Sequence, residues 1–98
     1  MLEKLLTTAE IDAFVQSHRQ WTHENNAIRR EFRFLNFTQA MNFVNGVAQG
    51  AESANHHPDI EIHYNLVILT ISTHDSGGIT RKDIDLAIAA EVAGTTSM

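Results

Sequence analysis

The sequence predicts a two-layer α+β domain that spans residues 1–98, with one four-stranded antiparallel sheet and helices packed on one of its faces. Helical and strand periodicities follow one another in the order α-β-β-α-β-β-α. Turn-forming residues separate the two strands of each pair, as in antiparallel hairpins. A chain of 98 residues is also long enough for one hydrophobic core and no more.

The first third of the chain is predicted to form a helix and a hairpin. Thr7 stands at capping-box spacing from a glutamate, and apolar residues at helical spacing predict a helix from about Thr8 to Ser17. A strand over Trp21 to Glu24 leads through two asparagines to a second strand that begins at Ala27. Arg30 interrupts the apolar face of this strand, which predicts a position near an edge or an end of the sheet.

The middle of the chain is predicted to form a long amphipathic helix. Asn36 can cap its first turn, and helical periodicity continues to about Ala54. Gly46 and Gly50 lie beside its apolar stripe and permit close packing of another backbone, including that of a partner chain. The stripe consists of Ala40, Met41, Val44, Val47, Ala48 and Ala51.

The last third repeats the order of two strands and a helix. Apolar residues alternate with polar ones from Ile60 to Tyr64 and from Val67 to Ser72, which predicts two strands, with part of the second sheet face apolar at Leu66 and Ile68. A Gly-rich loop from His74 to Gly78 follows. Thr80 is predicted to cap the last helix. One face of this helix carries Ile84, Ala87, Ile88 and Glu91, and the tail from Gly94 is predicted to fray.

The composition excludes several classes of function. The formal net charge is −5, and the seven Lys and Arg residues form no cluster that could bind nucleic acid or an anionic membrane. The sequence has no cysteine, so it has neither a disulfide framework nor a thiolate metal site. With no apolar signal segment at the N-terminus and no run long enough to span a bilayer, we expect a cytoplasmic protein.

The turn after the second helix contains the densest group of chemically useful residues. Glu52 lies four residues before the pair His56 and His57, and Pro58 ends the run. Two imidazoles can provide a proton acceptor and a proton donor near neutral pH. The competing interpretation is structural, because cationic histidines also stabilise a helix C-terminus and a lone glutamate is usually solvated. Asn55 is predicted to end the helix in a left-handed conformation.

Two further residues are expected at the same end of the sheet. His74 directly follows the fourth strand, and Asp83 lies in the first turn of the last helix, where it could orient an imidazole. His63 is predicted to face solvent or a neighbouring strand, whereas His18 and His23 have no identifiable partner in the sequence. The histidines show neither an HExxH motif nor a helical His-x-x-x-His pair, so we expect no metal and no cofactor.

Taken together, these residues resemble the pattern of the pterin-4a-carbinolamine dehydratases. That pattern is an acidic residue, three residues, His-His-Pro, an aromatic residue, a histidine and an aspartate. The matching positions here are Glu52, His56, His57, Pro58, Tyr64, His74 and Asp83. The likeness also includes Ser72-Thr73-His74 and extends over nearly the whole chain. Ile60 and Leu66 depart from residues that are frequent in the family, which affects the rim of the expected pocket.

The resemblance implies dehydration of 4a-hydroxytetrahydrobiopterin, the product of aromatic amino-acid hydroxylases, to quinonoid dihydropterin and water. By resemblance, His56, His57 and His74 are catalytic. Asp83 would support His74, and Glu52 would contact or polarise the pterin. The remaining expected substrate-binding positions are Asn55, Pro58, Ser72 and Thr73.

The resemblance also implies a homodimer formed by joining sheets, or a homotetramer formed through helices. An alternative function comes from the same family. An animal member also acts as a dimerisation cofactor of a homeodomain transcription factor, so this fold can serve as a non-enzymatic interaction module. The intact set of site residues favours catalysis over this alternative.

Overall fold

The computed structural model describes residues 3–97, and within them the chain forms three α-helices and four strands in the predicted order. The elements are α1 (Thr8–Ser17), β1 (Thr22–Glu24), β2 (Ala27–Arg33), α2 (Phe37–Ala54), β3 (Asp59–His63), β4 (Leu66–Ile71) and α3 (Arg81–Ser97). A short 3-10 helix, His74–Ser76, lies between β4 and α3. No helix among the described residues is long and apolar enough to cross a membrane.

The four strands form one antiparallel sheet in the order β1-β2-β4-β3. The predicted α+β fold with a four-stranded antiparallel sheet is therefore confirmed. Ile28 pairs with Ile71, and Leu69 pairs with Ile60, so these apolar positions share one face of the sheet. The residues between them, such as Arg29 and Thr70, lie on the other face. This alternation sets which sheet face receives the helices.

The core fills the space between the apolar sheet face and the helices. Trp21 and Phe43 are its largest fully buried side chains. Aromatic rings continue from one element to the next: Phe43 packs against Phe32 and Phe34, and Phe32 packs edge-on against Trp21. Such contacts add roughly 0.5–1.5 kcal/mol per pair to the burial of the rings. The aromatic cluster therefore ties α2 to the first hairpin.

The buried face of α2 differs from the predicted stripe by a small rotation. Ala40, Phe43, Val47 and Ala51 are buried, whereas Ala48 is exposed. The predicted stripe omitted Phe43, because small residues at several consecutive positions leave the phase of the helix poorly defined.

Gly46 allows close packing, but against this chain's own α3. A Cβ built on Gly46 would lie 3.6 Å from the Cβ of Ala93, whereas one on Gly50 would meet nothing within 4 Å.

Several predicted ends were wrong. The first strand begins at Thr22 rather than Trp21, and the fourth ends at Ile71 rather than Ser72. The third strand stops at His63, because Tyr64 adopts a positive φ of 54° in the turn to β4. The last helix does not fray at Gly94 but continues to Ser97. Gly94 is buried, and a Cβ there would lie 3.4 Å from the ring of Phe32. Glycine, which usually ends helices, is used here for close contact between α3 and the core.

A polar cluster joins α1, the first hairpin and α3. The carboxylate of Glu91 accepts hydrogen bonds from Trp21 Nε1 at 3.2 Å and from Arg30 at 3.4 Å, and it contacts His18 Nδ1 at 3.0 Å. His18 therefore has a partner, contrary to the sequence prediction, and its ring stacks on Phe14.

Arg30 belongs to an interior strand rather than an edge strand, but it lies just beyond the stretch of β2 that pairs with β1. Its guanidinium carbon sits 4.1 Å from the centre of the Phe32 ring. Burial lowers the pKa of the Arg30 guanidinium, and the neighbouring Glu91 carboxylate opposes this shift.

We expect Glu91→Gln to lower the free energy of unfolding by about 1–3 kcal/mol, because three partly buried groups lose their anionic partner. Urea unfolding followed by circular dichroism measures this change. Asp85→Asn is the matched control, since it removes the same charge from an exposed pair with Arg81. That control should cost less than about 1 kcal/mol. Equal losses in both variants would contradict the structural role of Glu91.

Candidate active site

The first part of the site is fixed by the way α2 ends. Asn55 adopts the left-handed conformation, with φ 50° and ψ 44°. Its amide donates to the carbonyl of Glu52 at 3.2 Å, and the amide of His56 donates to the carbonyl of Ala51 at 3.0 Å. These two bonds form a Schellman motif, which satisfies the last carbonyls of the helix. Pro58 keeps the residue before it out of a helical conformation. The backbone of His56 is consequently held against the last turn of α2.

The imidazole of His56 points inward, onto the carboxylate of Asp83 in the first turn of α3. The Nε2 atom of His56 lies 2.6 Å from Oδ1 of Asp83. The Asp83 side chain is 0% exposed and that of His56 is 11% exposed. Asp83 was expected to support His74, and the structure places it on His56 instead. The Schellman turn explains this, because it directs the chain after α2 back toward the start of α3.

His57 points to the other side of the segment, as consecutive residues in an extended chain do. Its Nε2 hydrogen-bonds to Oε2 of Glu52, one turn back on α2. Both side chains are more than half exposed. Glu52 is therefore not a free surface carboxylate but a partner of His57. The two adjacent histidines are each held by a carboxylate, one buried and one at the surface.

The third histidine is presented by a closed loop between β4 and α3. The amide of Thr73 donates to the carbonyl of Gly78 at 2.8 Å, so residues 73 and 78 form a β-bridge. Gly77 has a φ of 78°, a conformation that favours glycine. His74 begins the 3-10 helix inside this loop and is exposed. Among residues 3–97 its ring has no hydrogen-bond partner, so both ring nitrogens can interact with a ligand.

These segments surround an open cleft of about 350 Å³. It is lined by Asn55, His56, His57, Ser72, Thr73, His74, Asp75 and Lys82. Six of the nine predicted site residues thus face one space. Of the other three, Glu52 and Asp83 bond to the histidines from outside the cleft, and Pro58 follows His57 in the chain. Their catalytic and substrate-binding roles stay predictions.

The sequence analysis missed Asp75 and Lys82. Lys82 lies in the first turn of α3, where a lysine has no pattern that distinguishes it from a solvated surface residue. A second cleft of about 400 Å³ shares Ser72 and His74 with the first. It is lined otherwise by the turn between β1 and β2, including Asn25, and by residues such as Arg29. His74 therefore borders both clefts.

The site is suited to moving protons. Three imidazoles line one cleft, and two of them have one nitrogen engaged by a carboxylate, which leaves Nδ1 as the nitrogen that can exchange a proton with a ligand. His63 lies apart from the cleft on an exposed strand position, near Glu61. Across residues 3–97, no three His, Asp or Glu side chains form a group that could hold a metal ion.

Comparison with known proteins identifies relatives of the whole domain. The family described as Pterin 4 alpha carbinolamine dehydratase matches residues 4–93. A protein from Picosynechococcus, provisionally named a pterin-4-alpha-carbinolamine dehydratase, is 50% identical over 82 residues, which cover 84% of this chain and 89% of that protein. A second, from Gloeobacter violaceus, carries a similar provisional name and is 49% identical over 88 residues, covering 86% and 96% of the two chains.

Solved structures share the fold. A transcriptional coactivator/pterin dehydratase from Brucella melitensis superimposes with a TM-score of 0.89 and 31% identity, covering 93% of this chain and 99% of that one. A pterin dehydratase-like protein described as a RuBisCO assembly factor of the alpha-carboxysome superimposes with a TM-score of 0.63. At 17% identity over 76% of this chain and 86% of that one, the second likeness is one of fold alone.

We expect Asn55→Ala to lower the free energy of unfolding by about 1–2 kcal/mol, because alanine is strained in the left-handed conformation. Asn55→Gly is the matched control and should stay near wild type, since glycine adopts this conformation without strain. Thermal and urea unfolding of the three proteins measure the difference. If the Ala and Gly variants were equally stable, the Schellman turn would not position His56 as described.

Proposed function

Because the chain belongs to the pterin-4-alpha-carbinolamine dehydratase family, we propose that it removes water from a 4a-hydroxytetrahydropterin to give the quinonoid dihydropterin. The observation that supports this best is the single cleft lined by His56, His57 and His74. Dehydration of a carbinolamine needs proton transfer at two neighbouring atoms, and the cleft offers several imidazoles for it.

The reaction is balanced without any change of oxidation state. Carbon C4a of the substrate carries a hydroxyl group and is bonded to the ring nitrogen N5. A base takes the proton from N5, the C4a–O bond breaks, and an acid gives a proton to the departing hydroxyl. The lone pair left on N5 forms the C4a=N5 double bond, and water leaves. Each well-placed acid or base contributes a factor of roughly 10²–10⁴ to the rate.

The side-chain contacts support a division of catalytic roles among the three histidines. His56 is held on Asp83 and has little freedom to rotate, so it serves as the fixed proton-exchanging group, acting through Nδ1. His57 and His74 are more exposed and can exchange protons with solvent between turnovers. Glu52 acts through His57, to which it is bonded, and polarises that ring. Ser72 lines the same cleft, and we propose that its backbone groups bond the edge of a flat ring there. The backbone of Thr73 is already engaged, because its amide donates to the carbonyl of Gly78 and its carbonyl accepts from the amides of Ser76 and Gly77.

We expect His57→Ala and His74→Ala each to lower kcat by about 10- to 1000-fold, within the span of general acid–base effects. Both rings are exposed, so neither change should unfold the protein. The double variant should lose less than the product of the two single losses if one imidazole partly replaces the other. Stopped-flow decay of a freshly generated carbinolamine measures the rates, and circular dichroism checks the fold.

His63→Ala is the matched control, because it removes an exposed imidazole outside the cleft. It should remain within about twofold of the wild type, since this ring has no contact with the proposed site. Wild-type rates in His57→Ala and His74→Ala would reject the proposed placement of the reaction. So would a large loss of rate in His63→Ala.

A second candidate function is that of an interaction module. The Brucella melitensis structure is described as both a transcriptional coactivator and a pterin dehydratase. This description supports a non-enzymatic role as the alternative function of this chain. The discriminating test is the rate of carbinolamine dehydration by the purified wild-type protein. A protein with no activity, despite a folded cleft, would favour the interaction role.

We also propose that the chain self-associates through the open edge of β3. This strand pairs with β4 on one side and has no strand on its other side among the described residues. Apolar side chains near its end are exposed: Ile62 is 39% exposed, and Tyr64, 66% exposed, stacks on Phe37. An exposed strand edge with apolar flanks favours pairing with a second chain. Gly46 already packs within this chain, so a helix-based contact there has less support.

Light scattering at micromolar concentration should therefore show a dimer or a tetramer, and Ile62→Lys should shift the protein toward the monomer. Ile88→Lys is the matched control, because Ile88 on α3 is 38% exposed and lines a groove with residues of α1 rather than of β3. It should leave the assembly unchanged. A monomeric wild-type protein at this concentration would reject self-association.

A further inference from the structure

A buried polar cluster lies next to His56, and one of its residues, Thr73, also lines the cleft. It consists of Thr73 in the loop just after β4, Thr80 just before α3, and Asp83 in the first turn of that helix. Their side chains are buried, and those of Thr80 and Asp83 are completely so. Buried polar groups need hydrogen-bond partners, so the arrangement of these bonds is well determined.

The hydrogen bonds of the cluster can be assigned a direction. Oδ2 of Asp83 accepts from the hydroxyl of Thr73 at 2.8 Å and from the amide of Thr80 at 2.8 Å. A threonine hydroxyl has one hydrogen to donate. Because that of Thr73 goes to Asp83, the 2.8 Å contact between the two hydroxyls requires Thr80 to donate to Thr73. The chain of donors therefore runs from Thr80 through Thr73 to the carboxylate.

His56 completes the cluster from the opposite side. Its Nε2 lies 2.6 Å from Oδ1 of Asp83, the oxygen that the threonines leave free. Oδ2 accepts two hydrogen bonds, so both oxygens of the carboxylate have a partner within the protein. An ionised Asp83 requires His56 to carry its proton on Nε2. The ring nitrogen that remains for a ligand is then Nδ1.

The hydroxyl of Thr80 bonds to Thr73 and not to the first turn of α3, where a threonine in this position usually bonds. A threonine before a helix normally accepts a hydrogen bond on its side chain from the third helical amide. Here the amide of Asp83 bonds to the backbone carbonyl of Thr80 at 3.1 Å, and the Thr80 hydroxyl turns to Thr73. Thr80 directly precedes α3, at the predicted N-cap position, but its hydroxyl does not accept the capping hydrogen bond. The carboxylate of Asp83 instead reaches back to the Thr80 amide, as the acidic residue of a capping box does.

We propose that Thr73 and Thr80 are positioning residues, which hold Asp83 as an oriented anion and thereby fix the tautomer of His56. They do not touch the substrate through their hydroxyls, since both hydroxyls are occupied within the cluster. Their effect reaches the reaction through His56, so this inference rests on the proposed dehydratase function. The other titratable side chains around the same cleft are His57, His74, Asp75 and Lys82.

The test compares Thr73→Val and Thr80→Val with Thr73→Ser and Thr80→Ser. Valine keeps the shape and removes the hydroxyl, whereas serine keeps the hydroxyl. We expect Thr73→Val to lower kcat by about 10- to 100-fold with little change in KM, as is common for groups that orient a functional side chain. Thr80→Val should lose less, because it acts through Thr73. Both serine variants should recover most of the rate.

Thr95→Val is the matched control, because its hydroxyl bonds to a backbone carbonyl on the exposed side of α3. It should leave kcat unchanged. A second readout does not depend on activity: nitrogen-15 spectra of the His56 ring should show Nε2 protonated in the wild type and a perturbed Nε2–H signal in Thr73→Val. Thermal unfolding identifies variants that have lost the fold.

A folded Thr73→Val protein with wild-type kcat and an unchanged His56 spectrum would overturn the inference. So would a wild-type spectrum with the proton on Nδ1. If the wild-type protein proved inactive toward the carbinolamine, the proposed function would fail. The nitrogen-15 comparison would then still decide whether the threonines set the tautomer of His56.

Discussion

The bond between His56 and the buried carboxylate of Asp83 is the contact on which the arrangement of the site depends. It joins the end of α2 to the start of α3, and through Thr73 it also holds the end of β4. A fully buried carboxylate is costly unless it is hydrogen-bonded on both oxygens. The three segments must therefore converge on Asp83 with good geometry, or the fold loses stability. This requirement brings the histidines of two distant parts of the chain into one cleft.

Local backbone chemistry prepares the segments for that convergence. The left-handed Asn55 turns the chain at the end of α2, and Pro58 excludes a further helical turn. The bridge between Thr73 and Gly78 closes the loop that presents His74. These features hold the backbone before any ligand binds, which lowers the entropic cost of assembling the site. The exposed pair of His57 and Glu52, in contrast, keeps the freedom to adjust to a ligand.

Two of the three carboxylates of α3, Asp83 and Glu91, divide chemical and structural roles. Glu91 lies eight residues after Asp83, about 12 Å further along the helix. Its carboxylate contacts His18 and accepts hydrogen bonds from Trp21 and Arg30. These contacts join α1 and the first hairpin to α3 away from the cleft. Neither of the two clefts that share His74 is lined by any of these four residues. A carboxylate surrounded by hydrogen-bond donors thus stabilises the fold at Glu91, and a second one orients the imidazole of His56 at Asp83.

The sequence by itself determined the order of the helices and strands, the fold class and six of the eight residues that line the cleft. Caps, turns and apolar periodicity act over a few residues, and the capping box of Thr7 and the left-handed Asn55 lie where these patterns predicted them. The spacing from Glu52 to Asp83 predicted the site residues, because their types match a family pattern. The tertiary structure decided which side chains meet. Asp83 bonds to His56 rather than His74, His18 bonds to Glu91, and Gly94 packs on Phe32 instead of ending a helix. These contacts depend on the relative placement of elements up to 73 residues apart in the chain, which no local pattern specifies.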